Sequence, residues 1–274
     1  MVIICDPIGG LGNQLFQIAN TISLAIDNKA DWVIHKRKIG TMYAFGNRDV
    51  YWDNLFKNIN AIHVDMNKGK KYIEPKFSFQ KIIPDLSLTR TVLCGYFQSY
   101  KYFQHNKDII FKLLINDAIL YESQKVMENI KLQFSKNDNK EFQCVSLHVR
   151  RGDYIKHPTV HKILPLDYYI NTISKFDMST TLFLIFSDDI EWCKENITKL
   201  CANNILVKNA DYVDLLIMSL CDHNIIANSS YSWWGAYLNN NEQKQVYYPS
   251  KWFNRDGPQD TQDLCPDDWN CIEV

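Results

Sequence analysis

Short apolar runs alternate with segments of helical periodicity through the second half of this chain, and this alternation limits the possible folds more than any other feature. The runs predict strands, and segments in which apolar residues recur every three or four positions predict helices. The predicted strands cover residues 144–149, 182–186, 205–207, 225–227 and 246–248, and the predicted helices begin at Pro165, Asp189, Asp211 and Ser230. Strands and helices in this order pack as a parallel sheet with helices on both faces. We therefore expect an α/β fold.

The first half of the chain begins with the same order of elements. Residues 2–5 are apolar, a glycine-rich stretch follows, and apolar residues then recur at helical spacing as far as Ile26. Further strands are predicted over residues 32–34 and 92–97, and helical periodicity covers residues 107–134. Residues 40–90 indicate only loops and short elements. Six consecutive polar residues, 135–140, predict a linker between two lobes of residues 1–134 and 141–274.

Charge and cysteine usage exclude several classes of protein. Lys and Arg number 30 against 31 acidic residues, and a net charge of −1 provides no basic field for nucleic acid. No run reaches 18 apolar residues, so we expect no membrane span. The eight cysteines form no C-x-x-C pair and no metal-ligand spacing, which favours reduced thiols and a cytoplasmic location. Aromatic residues make up 13%, which fits either a core of large side chains or stacking on sugar rings.

Four loops follow predicted strands, and ligands of parallel sheets bind where strands end. These loops cover residues 9–14, 148–154, 187–189 and 228–234. The second loop is the most informative, because Arg150 and Arg151 stand side by side although only six of the 30 basic residues are arginine. The planar guanidinium grips phosphate at two points, which lysine does not. The alternative is an arginine–carboxylate pair, with Asp153 as partner, that staples two loops.

The other loops allow two interpretations each. The glycine loop lacks the third glycine of a dinucleotide fingerprint, because Leu15 occupies that position. It forms either a tight turn or a backbone that approaches a ligand, with Asn13 and Gln14 at a helix N-terminus. Asp188 and Asp189 either cap a helix or accept hydrogen bonds from a base edge such as that of guanine. The serines at positions 229, 230 and 232 either cap a helix or hold phosphate oxygens.

Together these loops resemble the alpha-1,2-fucosyltransferase family. The segments that match the family's motifs are Gly9-Gly10-Leu11-Gly12-Asn13-Gln14, His148-Val149-Arg150-Arg151-Gly152-Asp153-Tyr154, Phe186-Ser187-Asp188-Asp189 and residues 228–236. The resemblance implies a GT-B-like glycosyltransferase with two Rossmann-like lobes, each built on a parallel sheet. The N-terminal lobe, 1–134, would take the acceptor, and the C-terminal lobe, 141–274, would bind GDP-fucose. Fucose would move with inversion to the 2-hydroxyl of a terminal galactose in a glycan.

The resemblance also implies roles for individual residues. Arg150 would hold the β-phosphate of the donor with support from Arg151. The remaining donor contacts would come from His148 and Asp188 at guanine, from Asp189, from Ser229, Ser230 and Ser232 at the diphosphate, and from Gly10 and Gly12. Asn13 would lie near the point of transfer, and Asp153 would act as a general base or only orient an arginine. The chain contains no D-x-D motif, so we expect no metal.

Two alternatives to this activity stay open at this point. One is a transferase for another GDP-deoxyhexose, because the donor motif reads guanine and phosphate rather than the sugar. The other is an inactive module that binds a sugar nucleotide. The residues after Trp252 show no periodic pattern, and we expect this tail to be dispensable for donor binding.

Overall fold

The structure, a computed structural model, describes residues 1–36, 51–138 and 142–274. The chain divides into two compact units. The N-terminal unit contains Met1–Ile119 and Asp260–Pro266, and the C-terminal unit contains Leu120–Gln259 and Asp267–Val274. Each unit has its own parallel sheet, which confirms the predicted α/β fold with two Rossmann-like lobes.

The sheet of the N-terminal unit has the strand order β3-β2-β1-β5-β4, and every pairing is parallel. Its elements are β1 (Val2–Cys5), α1 (Leu11–Asp27), β2 (Asp31–His35), β3 (Ala61–Ile62), β4 (Lys70–Ile73), β5 (Arg90–Cys94) and α2 (Lys107–Leu114), followed by α3 (Asp117–Asp138), which continues into the other unit. The predicted strand over residues 92–97 ends early, at Cys94, because Phe97 has a φ of +52° and leaves the pleated conformation. The predicted helix over residues 107–134 is interrupted at Asn116, whose Oδ1 accepts a hydrogen bond from the amide of Ala118 and so begins a new helix.

The sheet of the C-terminal unit has six parallel strands in the order β11-β10-β9-β6-β7-β8. Its elements after α3 are β6 (Gln143–Val149), α4 (Leu166–Ile173), β7 (Thr181–Ser187), α5 (Ile190–Asn196), β8 (Asn204–Leu206), α6 (Asp211–Ser219), β9 (His223–Ile225), α7 (Ser230–Leu238), β10 (Val246–Pro249) and β11 (Asn270–Ile272). Counted from β6, this is the strand order of a Rossmann fold. From β6 the chain adds strands toward one edge of the sheet, through β7 to β8, and from β9 it adds them toward the other edge, through β10 to β11. Such folds bind nucleotides between the two strands, here β6 and β9, at which this direction of winding changes.

The core of the C-terminal unit explains why its elements were readable from sequence. β6 is buried from Cys144 onward, and β7 is buried along nearly its whole length, which is typical of central parallel strands. Helices α6 and α7 approach closely at Gly235, where an added Cβ would lie 2.7 Å from Cβ of Met218. The fully buried indoles of Trp233 and Trp234 extend this core from α7.

Two predictions about the organisation of the chain differ from the structure. Residues 135–138 belong to α3 and not to a linker, and residues 139–141 lie outside the described residues. The division between the units falls within α3, and the segment Asp260–Pro266 belongs to the N-terminal unit. The tail is therefore not an appendage, since it contributes to both units and forms β11 along β10. The expectation that the tail is dispensable for donor binding rested on its lack of a periodic pattern, and it loses that premise.

Candidate functional site

Three of the four predicted loops meet at one edge of the C-terminal sheet. β6 lies between β7 and β9, with Val149 beside Ser187 and Leu147 beside Ile225. The loops after these strands therefore begin side by side at the winding change. They carry Arg150 and Arg151, Asp188 and Asp189, and the serines at the start of α7.

Arg150 is held by two carboxylates. Its Nη2 lies 2.8 Å from Oδ1 of Asp153, and its Nε lies 3.2 Å from Oδ2 of Asp188. The guanidinium carbon lies 5.5 Å from the centre of the Tyr154 ring. Burial lowers the pKa of Arg150, but Asp188 and Asp153 raise it by more, so the pKa lies above its ordinary value. The result is a permanent cation with a fixed orientation.

Asp188 organises both arginines. Its Oδ1 accepts a hydrogen bond of 2.9 Å from the backbone amide of Arg151, and its Oδ2 faces Arg150. Gly152 permits this approach, because a Cβ there would lie 2.6 Å from Oδ2 of Asp188. Both oxygens of Asp188 thus contact the arginine segment, and the predicted contact of Asp188 with guanine stays a prediction.

Arg151 is fixed differently. Its Nε donates to Oδ2 of Asp189 at 3.1 Å, and its guanidinium carbon lies 4.2 Å from the centre of the Trp192 ring. The other oxygen of Asp189 accepts from the amide of Trp192 and caps α5. For Asp189 the capping interpretation therefore applies. Asp153 also acts in this structure as a partner of an arginine.

His148 is buried and holds a neutral ring. Desolvation, followed by the nearby charge of Arg150, lowers its pKa to about 3. Its Nδ1 has no hydrogen-bond partner among the residues that the structure describes. Buried polar atoms are nearly always hydrogen-bonded, so an orphaned ring nitrogen at a ligand-binding edge indicates a contact made by a ligand. The ring of Tyr231 lies 5.5 Å from the imidazole, measured between centroids.

Helix α7 follows β9, so its first backbone amides lie at the sheet edge that also carries the arginine and aspartate loops. Oγ of Ser229 accepts from the amide of Tyr231 at 3.4 Å, so Ser229 caps the helix, and Oγ of Ser232 donates to the carbonyl of Ser229. The first turn of α7, all of which the structure describes, contains no acidic side chain. Helix N-termini attract anions, and this one has no negative charge of its own to repel them. Ser230 is the half-buried member of the three.

The glycine loop occupies the corresponding edge of the N-terminal sheet. Gly9 has a φ of +82°, and a Cβ there would lie 2.6 Å from Nδ2 of Asn13. Helix α1 begins earlier than predicted, at Leu11, so Gly12 and Asn13 lie in its first turn and Gly10 is its N-cap. Oδ1 of Asn13 accepts a 2.7 Å hydrogen bond from Nε2 of Gln98.

Two glutamines brace this loop from inside α1. Gln14 donates to the carbonyl of Gly9 at 3.0 Å. Gln17 donates to the carbonyl of Ile8 at 2.8 Å and accepts from the amide of Ile8 at 3.1 Å. Sequence reasoning placed Gln14 at the helix start but assigned no role to Gln98, which follows β5 with no motif to mark it.

The described residues lack both a membrane-spanning helix and a cluster of metal ligands. No helix among them is long and apolar enough to cross a bilayer. Within the same residues, no three His, Cys, Asp or Glu side chains lie close enough together to hold a metal ion.

Comparisons with known proteins agree with the geometry. The sequence model of the family described as Glycosyl transferase family 11 matches residues 6–273. An alpha-1,2-colitosyltransferase of Escherichia coli is 29% identical and covers 99% of each chain. The O-antigen biosynthesis glycosyltransferase WbnK of Escherichia coli is 31% identical over 89% of this chain and 93% of the relative. A galactoside alpha-(1,2)-fucosyltransferase 2 of Mus musculus is 24% identical over 85% of this chain and 67% of the relative.

Among solved structures, the crystal structure of the fucosyltransferase NodZ from Bradyrhizobium is similar, with a TM-score of 0.54 and 13% sequence identity. The match covers 86% of this chain and 93% of NodZ. At this identity the likeness establishes the fold, and it supports the GT-B-like assignment.

Proposed function

Because this chain belongs to glycosyl transferase family 11, we propose that it transfers L-fucose from GDP-fucose, with inversion, to the 2-hydroxyl of a terminal galactose in a glycan. The observation that carries the proposal is Arg150, a cation fixed by Asp153 and Asp188 at the winding change of a Rossmann sheet. The diphosphate of the sugar nucleotide needs such a cation to stabilise its negative charge as it becomes the leaving group.

The chemistry explains why the cation must be fixed. When the bond from fucose to GDP breaks, negative charge develops on the leaving diphosphate. A hydrogen-bond donor of the protein that is already oriented stabilises this charge without reorganisation, and the removal of one such group costs about 3–4 kcal/mol. Arg150, supported by Arg151, and the amides at the N-terminus of α7 supply such donors from this chain's own residues. We therefore propose that the reaction needs no metal ion.

Other residues take roles that follow from their contacts. The neutral His148, with its orphaned Nδ1, supports a contact to the nucleoside part of GDP. Asp153 is paired with Arg150, which supports an orienting role rather than that of a general base. The hydroxyl groups of Ser230 and Ser232 contact the diphosphate in this proposal, and Asn13 lies near the point of transfer.

One observation favours a second candidate for the donor. The relative named as a colitosyltransferase matches over 99% of both chains, whereas the fucosyltransferase of Mus musculus matches over 67% of its own length. Colitose is L-fucose without the 3-hydroxyl group, and the contacts described above recognise guanine and phosphate rather than this hydroxyl. GDP-colitose is therefore the alternative donor.

The test is a transfer assay with GDP-fucose, GDP-colitose and GDP-mannose as donors, with lactose as acceptor and with NMR assignment of the product linkage. We expect transfer from GDP-fucose to the galactose 2-hydroxyl, and undiminished activity in excess chelator. Preference for GDP-colitose establishes the second candidate. An inactive wild type that still binds GDP establishes a binding module. Loss of turnover in chelator, restored by manganese, refutes metal independence.

The same assay tests Arg150. Arg150→Lys keeps the charge and loses the planar fork, so turnover should fall at least about a hundredfold with a smaller change in KM. Arg151→Lys should cost less, because in this proposal Arg151, paired with Asp189, supports Arg150 and does not itself hold the β-phosphate. The matched control is Arg255→Lys, whose side chain is 83% exposed beside Asp256. Near-normal turnover of Arg150→Lys, or greater damage from Arg151→Lys, contradicts the proposed roles.

A further inference from the structure

Phe97 has an unusual backbone conformation, and it directly precedes Gln98, which donates a hydrogen bond to Asn13. Its φ of +52° lies in the left-handed region, which a bulky residue rarely occupies. Such a conformation is strained and persists only where the surroundings enforce it. The Phe97 ring is buried and packs edge-on against Tyr102, at 5.6 Å between centroids. The core therefore holds the side chain while the backbone bends.

A half-buried carboxylate enforces the bend from the other side. Glu74, the residue after β4, accepts hydrogen bonds from the amides of Tyr96 at 2.7 Å and Phe97 at 3.0 Å, one on each oxygen. Gly95 leaves room for it, because a Cβ there would lie 2.4 Å from Cβ of Glu74. Among the described residues, the hydrogen bonds that Glu74 accepts come from Tyr96 and Phe97, neither of which belongs to the proposed donor site.

The bend delivers the next side chain to the glycine loop. Gln98 follows Phe97 directly, is 6% exposed, and donates from Nε2 to Oδ1 of Asn13 at 2.7 Å. β1 and β5 are parallel neighbours in this sheet, so the segments that follow them begin at the same edge. Asn13 and Gln98 thus meet outside the carboxyl ends of parallel strands, where sheets of this kind bind their ligands.

We propose that Glu74 and Gln98 are positioning residues for the acceptor, and that they act through Asn13 on a sugar hydroxyl. Glu74 fixes the turn at Phe97, the turn aims Gln98, and Gln98 fixes the orientation of the Asn13 amide, whose Nδ2 lies against Gly9. A flipped Asn13 amide would set its NH2 group against that of Gln98. This inference rests on the proposed function, in which Asn13 lies near the point of transfer.

The experiment measures acceptor kinetics and lactose binding for Gln98→Ala and Glu74→Gln. In Glu74→Gln, one of the two backbone amides faces an NH2 group instead of an oxygen. Both variants should lower kcat/KM for the acceptor at least about tenfold, and should weaken lactose binding in the presence of GDP, whereas the Kd of GDP should stay within about twofold. The double variant should be no worse than the more damaged single variant, because both act through one path. The matched controls are Gln243→Ala and Glu122→Gln, both at exposed positions.

Thermal melts separate this role from a merely structural one. A structural role lowers Tm and leaves acceptor KM unchanged well below Tm, and that result overturns the inference. Additive losses in the double variant, or an equal loss of GDP affinity, also overturn it, as does a wild type that does not bind lactose. Failure of the proposed function shows itself differently, as a wild type that does not transfer fucose. Gln98→Ala keeps the test decisive should Glu74→Gln fold poorly.

Discussion

His148 and Arg150 lie two residues apart at the end of β6, yet burial acts on them with opposite results. Desolvation disfavours the charge of both. Arg150 has Asp188 and Asp153 to compensate, and its pKa rises, whereas the cation of Arg150 only adds to the penalty at His148. One strand end therefore carries a permanent cation and a permanently neutral imidazole.

The depressed pKa of His148 predicts an acid-sensitive fold. The unfolded chain binds a proton at His148 near pH 6.5 and the folded chain only near pH 3, so stability falls as the pH drops below about 6.5. At pH 5 this single group should cost about 2 kcal/mol. We expect His148→Gln to show a smaller loss of unfolding free energy between pH 7 and pH 5 than the wild type, measured by urea unfolding.

The matched control for that measurement is His157→Gln, which alters an exposed histidine and should keep the pH dependence of the wild type. Equal losses in His148→Gln and the wild type would show that the imidazole is charged in the folded protein. That outcome would also remove the neutral ring from the proposed donor site.

At the scale of elements, α7 combines a cap and a proposed binding role at one end. Ser229 satisfies the amide of Tyr231, and the acid-free first turn leaves the positive end of the helix for an anion. Other helices of this unit carry acids there, such as Asp167 in α4 and Glu191 in α5. The difference is consistent with a helix that meets a diphosphate.

Ser230→Asp tests this use of α7. A carboxylate near a helix N-terminus is stabilising by about 0.3–1 kcal/mol, so Tm should not fall. A bound diphosphate would meet a like charge, so the affinity for GDP should drop at least about tenfold, as measured by calorimetry. Ala118→Asp adds the same charge to the first turn of α3 and should leave GDP affinity unchanged. A Kd of GDP within twofold of the wild type for Ser230→Asp means that the phosphates bind elsewhere.

At the scale of the whole molecule, the tail takes part in both units. In the N-terminal unit, Asp260 accepts from the amide of Ser78 at 2.9 Å, and Asp263 accepts from the amide of Phe79 and pairs with Lys101. In the C-terminal unit, β11 extends the sheet, and the ring of Trp269 lies 5.6 Å from that of Trp233. The last fifteen residues thus stabilise both units.

Trp269→Ala tests this contribution. Trp269 is 7% exposed, and removal of a buried indole typically costs about 3–5 kcal/mol. We expect a loss of that size in the free energy of unfolding, followed by far-UV circular dichroism in urea. Cys271→Ser, at an exposed position of β11, is the control and should stay within about 0.5 kcal/mol. A loss below 1 kcal/mol for Trp269→Ala would show that the packing of this indole contributes little to the stability of the C-terminal unit.

Local periodicity determined much of this protein by itself. β1 is a short apolar run, β7 is apolar between its two ends, and α7 begins and ends at the predicted residues. Buried parallel strands are apolar on both faces, and the apolar residues of a helix recur every three to four positions, so both can be recognised from neighbouring residues. Parallel strands all end at the same edge, so their order along the chain was enough to bring the arginine, aspartate and serine loops together. The alternation implied one parallel sheet in the second half of the chain, whereas the second sheet was implied by the family resemblance.

Only the tertiary structure decided the features that depend on distant partners. β3 has two residues and β11 three, and each is a strand because β2 or β10 supplies its hydrogen bonds. The bend at Phe97 exists because Glu74, 23 residues earlier, accepts its amide. A hydrogen bond between distant residues leaves no period in the sequence, so Glu74 and Gln98 carried no local signal. The alternation determined which loops meet, and the folded chain determined which side chains in them hold one another.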